Sequence, residues 1–249
     1  MIRIIAIIPA RYASSRFPAK PLVDIAGKSM IQRVYEQAST SSKLTKIVVA
    51  TDHVDIFNHV KKFGGHVCMT REDHASGTDR CYEALCAQDE KFDYVINIQG
   101  DEPFIQPEQI DELAAILKDG TVELATQMIL VDNHEILFDK GEVKIVLNTN
   151  KEALYFSRMV IPFIKGVDEK DWHLHHDYYR HVGMYAYRKD ILEKITKVPV
   201  SSLEKSESLE QLRWLENGFK IKCVTTKYES HCIDTPEDVE KVLVLLNKQ

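Results

Sequence analysis

Short runs of apolar, mostly β-branched residues alternate along the first half of this chain with segments of helical character. We expect strands at residues 3–9, 46–51, 66–70, 94–99 and 123–129. Helices are expected between them at residues 30–39, 55–63, 79–87 and 107–117. Because strands with continuous apolar runs need cover on both faces, this alternation predicts an α/β fold with a mostly parallel central sheet flanked by helices. Ligands of such sheets bind beyond the carboxyl ends of the strands, so function is sought in those loops.

The pattern is less regular after about residue 132, which indicates an elaborated second half. Strands are expected at residues 142–147, 181–187 and 220–226, an extended segment at 157–164, and helices at 206–217 and 236–246. Gly218 is a typical stop after the first of these helices. No internal repeat, low-complexity tract or Pro/Gly/Ser-rich linker divides the chain, so the prediction is one domain spanning residues 1–249.

Charge and cysteine content restrict the function classes. The net charge of −6 argues against a general nucleic-acid binder, although a few converging cations still suffice for a small anionic ligand. The five cysteines are odd in number and contain no C-x-x-C pair, so neither a disulfide framework nor a zinc knuckle is predicted. Arg3 interrupts the amino-terminal apolar run, and no run reaches the roughly 18 apolar residues of a membrane span, so we expect a cytoplasmic protein without membrane insertion.

The loop after the first predicted strand contains three cations, Arg11, Arg16 and Lys20. Small residues between them, including Ser14, allow the backbone to approach a ligand and offer amide donors. Arg makes forked contacts with phosphate oxygens, whereas Lys supplies a mobile point charge. The loop predicts a triphosphate cradle in which Lys20 neutralises departing pyrophosphate, with a solvated basic loop as the alternative. It matches neither G-x-G-x-x-G nor the Walker pattern, which argues against a dehydrogenase or a P-loop enzyme.

Two aspartates are candidates for binding Mg²⁺, which prefers hard oxygen ligands and takes one or two carboxylates. Asp101 follows a predicted strand and Gly100, which is expected to permit an unusual backbone angle. An acidic turn before the next helix explains Asp101 equally well. Asp234 precedes the cap of the last helix and is not needed for capping, so it is available as a second ligand.

A third loop, residues 74–80, joins a strand to a helix. Ser76 or Thr78 is expected to cap that helix, and its free amides could also hold base or phosphate oxygens. In the second half, polar residues near Arg158, His181 and Glu210 could form a sugar pocket. From the residues alone, core tyrosines and surface ion pairs explain these segments better.

The chain resembles the 3-deoxy-manno-octulosonate cytidylyltransferase family nearly from end to end. The resemblance rests on the ordered segments IIPARYASSRFPAKPL, VVATDH, GGHVCMTREDHASGTDR, INIQGDEP, ALYFSR, YRHVGMYAYR, SLEQLRWLENG and IDTPEDVE. It implies a Rossmann-like nucleotidyltransferase fold and an Mg²⁺-dependent enzyme, usually a homodimer. The implied reaction joins CTP to 3-deoxy-D-manno-octulosonate (Kdo), giving CMP-Kdo and pyrophosphate for lipopolysaccharide biosynthesis. Roughly, residues 1–130 would be the CTP-binding half and residues 131–249 the sugar-binding and dimerisation half.

The resemblance also implies roles for individual residues. Metal binding maps onto Asp101 and Asp234, and these two and Lys20 are expected to be catalytic. Nucleotide binding maps onto Arg11, Ser14, Arg16, Lys20, Ser76, Gly77, Thr78 and Arg80. Sugar-acid binding maps onto Gln99, Arg158, His181, Tyr185, Glu210 and Gln211. One departure is Ala19, which stands where the family often has glycine, so the first loop would be strained if that position needs a glycine-only angle.

Three other functions remain open. A cytidylyltransferase for a related acid sugar, such as an amino-substituted Kdo or a sialic acid, would differ by few contacts. A nucleotide-binding regulator without catalysis is a second alternative, which the presence of Lys20, Asp101 and Asp234 together disfavours. A purely structural interaction protein is disfavoured because many polar residues gather at predicted strand ends.

Overall fold

The computed structural model describes residues 2–13, 17–229 and 232–246, with side chains described as far as residue 243. The chain divides into two compact units, residues 1–118 together with 230–249, and residues 119–229. The last segment therefore belongs to the first unit although it follows the second in sequence. The assignment of residues 1–249 to a single domain stays a prediction.

The first unit contains a parallel sheet of four strands in the order β6-β1-β4-β5. The strands of this sheet are β1 (Ile4–Ala10), β4 (Lys46–Thr51), β5 (Val67–Met69) and β6 (Tyr94–Asn97). A separate short hairpin is formed by β2 (Asp24–Ile25) and β3 (Lys28–Ser29). The central strand β1 is almost wholly buried, with Ile5, Ile7 and Ile8 fully covered. These parallel strands and their apolar patterning are as predicted, which confirms the α/β class.

Helices connect the strands of the first unit near the predicted positions. They are α1 (Met30–Ser39), α2 (Val54–Lys62), α3 (Gly77–Cys86) and α4 (Pro107–Ala115). The hydroxyl of Ser29 accepts a hydrogen bond from the Gln32 amide at the start of α1, and Ser76 does the same for the Asp79 amide at the start of α3. Such caps satisfy amides that have no partner within the helix.

The second unit contains a five-stranded sheet in the order β11-β7-β10-β8-β9. The strands are β7 (Leu124–Leu130), β8 (Lys144–Leu147), β9 (Ala153–Ser157), β10 (Tyr179–Arg188) and β11 (Ile221–Thr225). Only β11 runs parallel to its neighbour, β7. The helices are α5 (His134–Phe138), α6 (Trp172–His175), α7 (Lys189–Ile195), α8 (Ser202–Glu207) and α9 (Gln211–Glu216).

Two sequence predictions are wrong in the second unit. The helix expected at residues 206–217 is two helices, because Ser208 adopts the left-handed angles φ 55° and ψ 47° and ends α8. The segment expected to be extended at 157–164 holds only the last residue of β9 and is otherwise irregular. Strand β9 and helix α7 were not predicted. Gly218, with φ 79°, ends α9 as expected.

The last helix, α10 (Pro236–Leu246), is at its predicted position and belongs to the first unit. Ile233, just before it, is fully buried in a cluster with Ile25, Met30, Val239 and Val242. This packing holds the carboxyl-terminal segment against the first unit. No helix in the described parts of the chain combines the length and apolar character needed to cross a membrane.

Candidate active site

A cleft with a volume of about 320 Å³ lies at the carboxyl ends of the strands of the first unit. Three strand-end loops and one residue from the segment before α10 form its walls. The lining residues are Pro9, Ala10, Arg11, Lys20, Pro21, His74, Ala75, Ser76, Gly77, Arg80, Gln99, Gly100, Asp101 and Asp234. The strand-end position expected for a ligand of a parallel sheet is therefore the position of this cleft.

The two aspartates proposed as metal ligands converge in the cleft. The Lys20 Nζ lies 2.7 Å from Asp101 Oδ2 and 3.2 Å from Asp234 Oδ1. The Ile233 amide donates to the Asp101 carbonyl at 3.0 Å, which ties the backbone before Asp234 to the backbone of Asp101. Together with the burial of Ile233, this hydrogen bond explains how residues so distant in sequence meet.

Lys20 carries a full charge between these carboxylates. Burial alone would lower the pKa of its ammonium, but Asp101 and Asp234 outweigh burial and raise that pKa above its ordinary value. One cation thus already faces both carboxylates. Within the described residues, no group of three or more His, Cys, Asp or Glu side chains is arranged to hold a metal. Two carboxylates that face one cation position nevertheless fit Mg²⁺, which completes its shell with phosphate oxygens and water.

Backbone geometry explains two small residues beside these groups. A Cβ on Gly100 would lie 2.8 Å from the Pro9 carbonyl oxygen, so glycine is needed for close approach to the end of β1. The expectation of an unusual backbone angle at Gly100 is wrong, because Gly100 does not have a positive φ. Ala19 does adopt a left-handed conformation, with φ 54° and ψ 23°. The strain anticipated at this position is therefore present.

The phosphate side of the predicted cradle is described only in part. Arg11 and Lys20 line the cleft, whereas Ser14 and Arg16 lie outside the described residues. The Ala19 amide donates to the Tyr12 carbonyl at 3.1 Å, so the two ends of the loop are held together.

The loop before α3 forms another wall of the cleft. Ser76, Gly77 and Arg80 line it, whereas Thr78 is buried in the first turn of α3 and is not among the described lining residues. Ser76 caps α3, as predicted from the sequence. Arg80 is itself buried, and its guanidinium lies 2.8 Å from Asp52 Oδ2.

Two of the predicted sugar-binding residues, His181 and Tyr185, meet in an aromatic cluster of the second unit, and a third, Gln211, is buried on the helix that carries Trp214 of that cluster. The ring of Tyr185 lies 5.2 Å from the ring of His181 and 5.3 Å from that of Trp214. Burial lowers the pKa of His181 to about 3. The Gln211 Nε2 and the Trp214 Nε1 are buried and have no hydrogen-bond partner in the part of the chain that the structure describes. Buried polar atoms normally have partners, so these two indicate a place for a polar ligand or for water.

The other predicted sugar-binding residues have different surroundings. The Arg158 guanidinium donates to the carbonyls of Glu207 and Lys140, at 2.9 and 3.1 Å. Glu210 lies at the start of α9, where its carboxylate is 3.6 Å from the Arg213 guanidinium. Gln99 belongs to the first unit and lines its cleft.

Sequence reasoning missed two residues near the cleft. His74 lines it and contacts the Glu83 carboxylate, with only 6% of its side chain exposed. Asp52 lies behind the lining and binds both Arg80 and the first loop. The only signal for either was its place in a strand-end segment.

Comparisons with known proteins identify the family of this chain. The family model for cytidylyltransferases matches residues 5–221. A 3-deoxy-manno-octulosonate cytidylyltransferase from Parabacteroides distasonis is 52% identical over 250 residues, covering 99% of each chain. The enzyme of that name from Cytophaga hutchinsonii is 52% identical over 242 residues, covering 97% of this chain and 96% of its own.

Solved structures show the same similarity. A CMP:2-keto-3-deoxy-manno-octonic acid synthetase complexed with CTP superimposes with a TM-score of 0.91, at 40% identity and with 99% of both chains covered. A 4-diphosphocytidyl-2C-methyl-D-erythritol synthase from Anaerococcus prevotii gives a TM-score of 0.65 at 15% identity, which shows a shared fold alone.

Proposed function

This chain belongs to the cytidylyltransferase family, within it to the 3-deoxy-manno-octulosonate cytidylyltransferases, and we propose from that premise that it transfers CMP from CTP to Kdo. The products are CMP-Kdo, a precursor for lipopolysaccharide biosynthesis, and pyrophosphate. The observation that carries the proposal is the meeting of Asp101, Asp234 and the Lys20 ammonium in one strand-end cleft.

The residues of the first unit bind and orient the triphosphate. Arg11 and Lys20 line the cleft and place positive charge where the β- and γ-phosphates would lie. In the reaction, the sugar hydroxyl oxygen forms a bond to the α-phosphorus as the bond to pyrophosphate breaks, and the hydroxyl proton passes to solvent. Fixed cations stabilise the charge that builds on the leaving pyrophosphate, and they need little reorganisation at that moment. Ser76 and Gly77, at the start of α3, are proposed to face the cytidine end.

Asp101 and Asp234 would hold the Mg²⁺ ion. When bound, this ion would supply positive charge that stabilises the phosphoryl group during its transfer. The Lys20 ammonium pairs with both carboxylates and offsets one of their two negative charges, so a further cation would be needed to balance the group.

The sugar side is proposed to involve the buried cluster of the second unit. Gln211 offers a side-chain nitrogen that has no hydrogen-bond partner among the described residues, and His181 is neutral at physiological pH. Neutral donors and acceptors held on rigid elements suit the hydroxyl groups of a sugar acid. Family membership further supports a cytoplasmic homodimer. Gel filtration with light scattering would measure the mass of the protein in solution and so test the dimer.

One assay tests the function. Pyrophosphate release is measured with each of the four ribonucleoside triphosphates, with and without Kdo, and with Mg²⁺ chelated. Release is expected only with CTP, Kdo and Mg²⁺ together. Parallel reactions with amino-substituted Kdo and with a sialic acid test the sugar. Release without Kdo, or equal release with another triphosphate, would reject the assignment.

A further inference from the structure

Asp52, which directly follows β4, joins two walls of the cleft through one buried carboxylate. Only 7% of its side chain is exposed. Its Oδ1 accepts a hydrogen bond from the Tyr12 amide at 3.1 Å, and its Oδ2 pairs with the Arg80 guanidinium at 2.8 Å. Asp52 itself is not among the described residues that line the cleft.

The pairing with Asp52 fixes the direction of a cleft residue. Arg80 lines the cleft, yet only 4% of its side chain is exposed, and its second nitrogen donates to Thr70 Oγ1 at 2.6 Å. A buried guanidinium needs a carboxylate partner, because an unpaired charge in such surroundings is strongly unfavourable. Asp52 therefore both neutralises Arg80 and sets its orientation.

The hydrogen bond to Tyr12 fixes the first loop in the same way. Tyr12 directly follows Arg11, which lines the cleft, and its carbonyl accepts from the Ala19 amide at 3.1 Å. The Tyr12 ring stacks on His53, with ring centroids 3.7 Å apart and planes 18° apart. Asp52 and His53 thus attach Tyr12, at the entry of this loop, to the end of β4, and the Ala19 amide attaches the exit to Tyr12.

On the basis of the function proposed above, we propose that Asp52 is a positioning residue for nucleotide binding. It holds Arg11 through the loop backbone and Arg80 through the ion pair, so that both cations are in place before CTP arrives. Preorganisation of this kind lowers the cost of binding. The effect should fall on CTP affinity, because within the described residues the side-chain hydrogen bonds of Asp52 go to Tyr12 and Arg80, and neither is proposed to bind the metal or the sugar.

Two substitutions separate the contacts of Asp52. Asp52→Asn keeps an oxygen that can accept from the Tyr12 amide but removes the charge that pairs with Arg80. Asp52→Ala removes both interactions. By calorimetry, the Kd for CTP is expected to rise about tenfold in the Asn variant and about a hundredfold in the Ala variant. The kcat at saturating CTP and the KM for Kdo are expected to stay within about threefold of the original enzyme, a split that general damage would not give.

Glu204→Gln serves as a matched control because it breaks another buried ion pair, the 2.6 Å pair with Arg213 in the second unit. The side chains of Glu204 and Arg213 are 13% and 9% exposed. The Glu204→Gln variant should have a lower Tm and an unchanged Kd for CTP. Thr70→Val, which removes only the second partner of Arg80, should raise the Kd about threefold and serves if the Asp52 variants fail to fold. An unchanged Kd for CTP in a folded Asp52→Asn variant, or in Thr70→Val if the former does not fold, overturns the proposal. Failure of the original enzyme to bind CTP would instead count against the proposed function.

Discussion

Acid should destabilise this protein through His181, whose pKa burial lowers from 6.5 to about 3. Below pH 6.5 the unfolded chain takes up a proton at this histidine, whereas the folded ring stays neutral until the pH approaches 3. The contribution of neutral His181 to the stability is therefore fully present above pH 6.5, the pKa in the unfolded chain. It is lost as the pH falls from 6.5 towards the folded pKa of about 3. At pH 5 the loss from this one group is about 2 kcal/mol, since each pKa unit is worth about 1.4 kcal/mol.

The surroundings of His181 explain why the charged form is excluded. Its ring lies 5.4 Å from the Phe156 ring and 5.2 Å from the Tyr185 ring. The His181 Nε2 lies 2.9 Å from Thr126 Oγ1, and that hydroxyl is also 2.9 Å from the Met184 carbonyl. The Thr126 hydroxyl can donate its single proton to the Met184 carbonyl and accept from Nε2, an arrangement that satisfies both groups with the ring neutral.

Urea unfolding at pH 7 and pH 5 measures the loss. His181→Gln removes the titrating group, so its unfolding free energy should fall by about 2 kcal/mol less between these pH values than that of the original protein. Carboxylates contribute equally to both proteins and cancel. His66→Gln, at an exposed histidine, is the control and should show the original pH dependence. Equal losses in the original protein and in His181→Gln would refute the reasoning.

Three further substitutions test the cleft. Lys20→Met should raise the affinity for Mn²⁺ without nucleotide about tenfold, measured by electron paramagnetic resonance, because the ammonium that pairs with Asp101 and Asp234 is gone. Unchanged affinity would show that Lys20 does not compete with the metal. Asp101→Asn should lower turnover at least about a hundredfold while the Tm stays within a few degrees, and near-normal turnover at saturating Mg²⁺ would remove Asp101 from the mechanism. Ala19→Gly should stabilise the fold by about 1 kcal/mol in urea unfolding, because φ is 54° at this position, and a loss of stability would contradict strain there.

Much of the first unit could be predicted because its signals are local. Strands β1 and β4 are largely apolar runs, and short apolar runs that alternate with helices indicate the buried strands of a parallel sheet. The strand-end rule then indicated the loops that carry Lys20 and Asp101. Caps such as Ser76 were readable from residue type and spacing.

The remaining features depend on contacts between distant parts of the chain. The break at Ser208 could not be read from sequence, because a serine gives no sign that it will adopt a left-handed angle. The pairing of Arg80 with Asp52 requires β4 and α3 to lie side by side, which the sequence does not show. From the sequence alone, the Arg80 guanidinium was therefore equally suited to binding a ligand. Asp234 was chosen by elimination, and its approach to Asp101 depends on the burial of Ile233.

The return of the carboxyl-terminal segment to the first unit sets an order on assembly of the cleft. Lys20 and Asp101 are synthesised early, but the carboxylate that completes their group comes from Asp234, which emerges after every residue of the second unit. A nascent chain still lacking that segment has one acid where the finished protein has two. This pair of acids can therefore form only after the second unit has been synthesised, and a chain cut before Asp234 would lack it even with the parallel sheet intact.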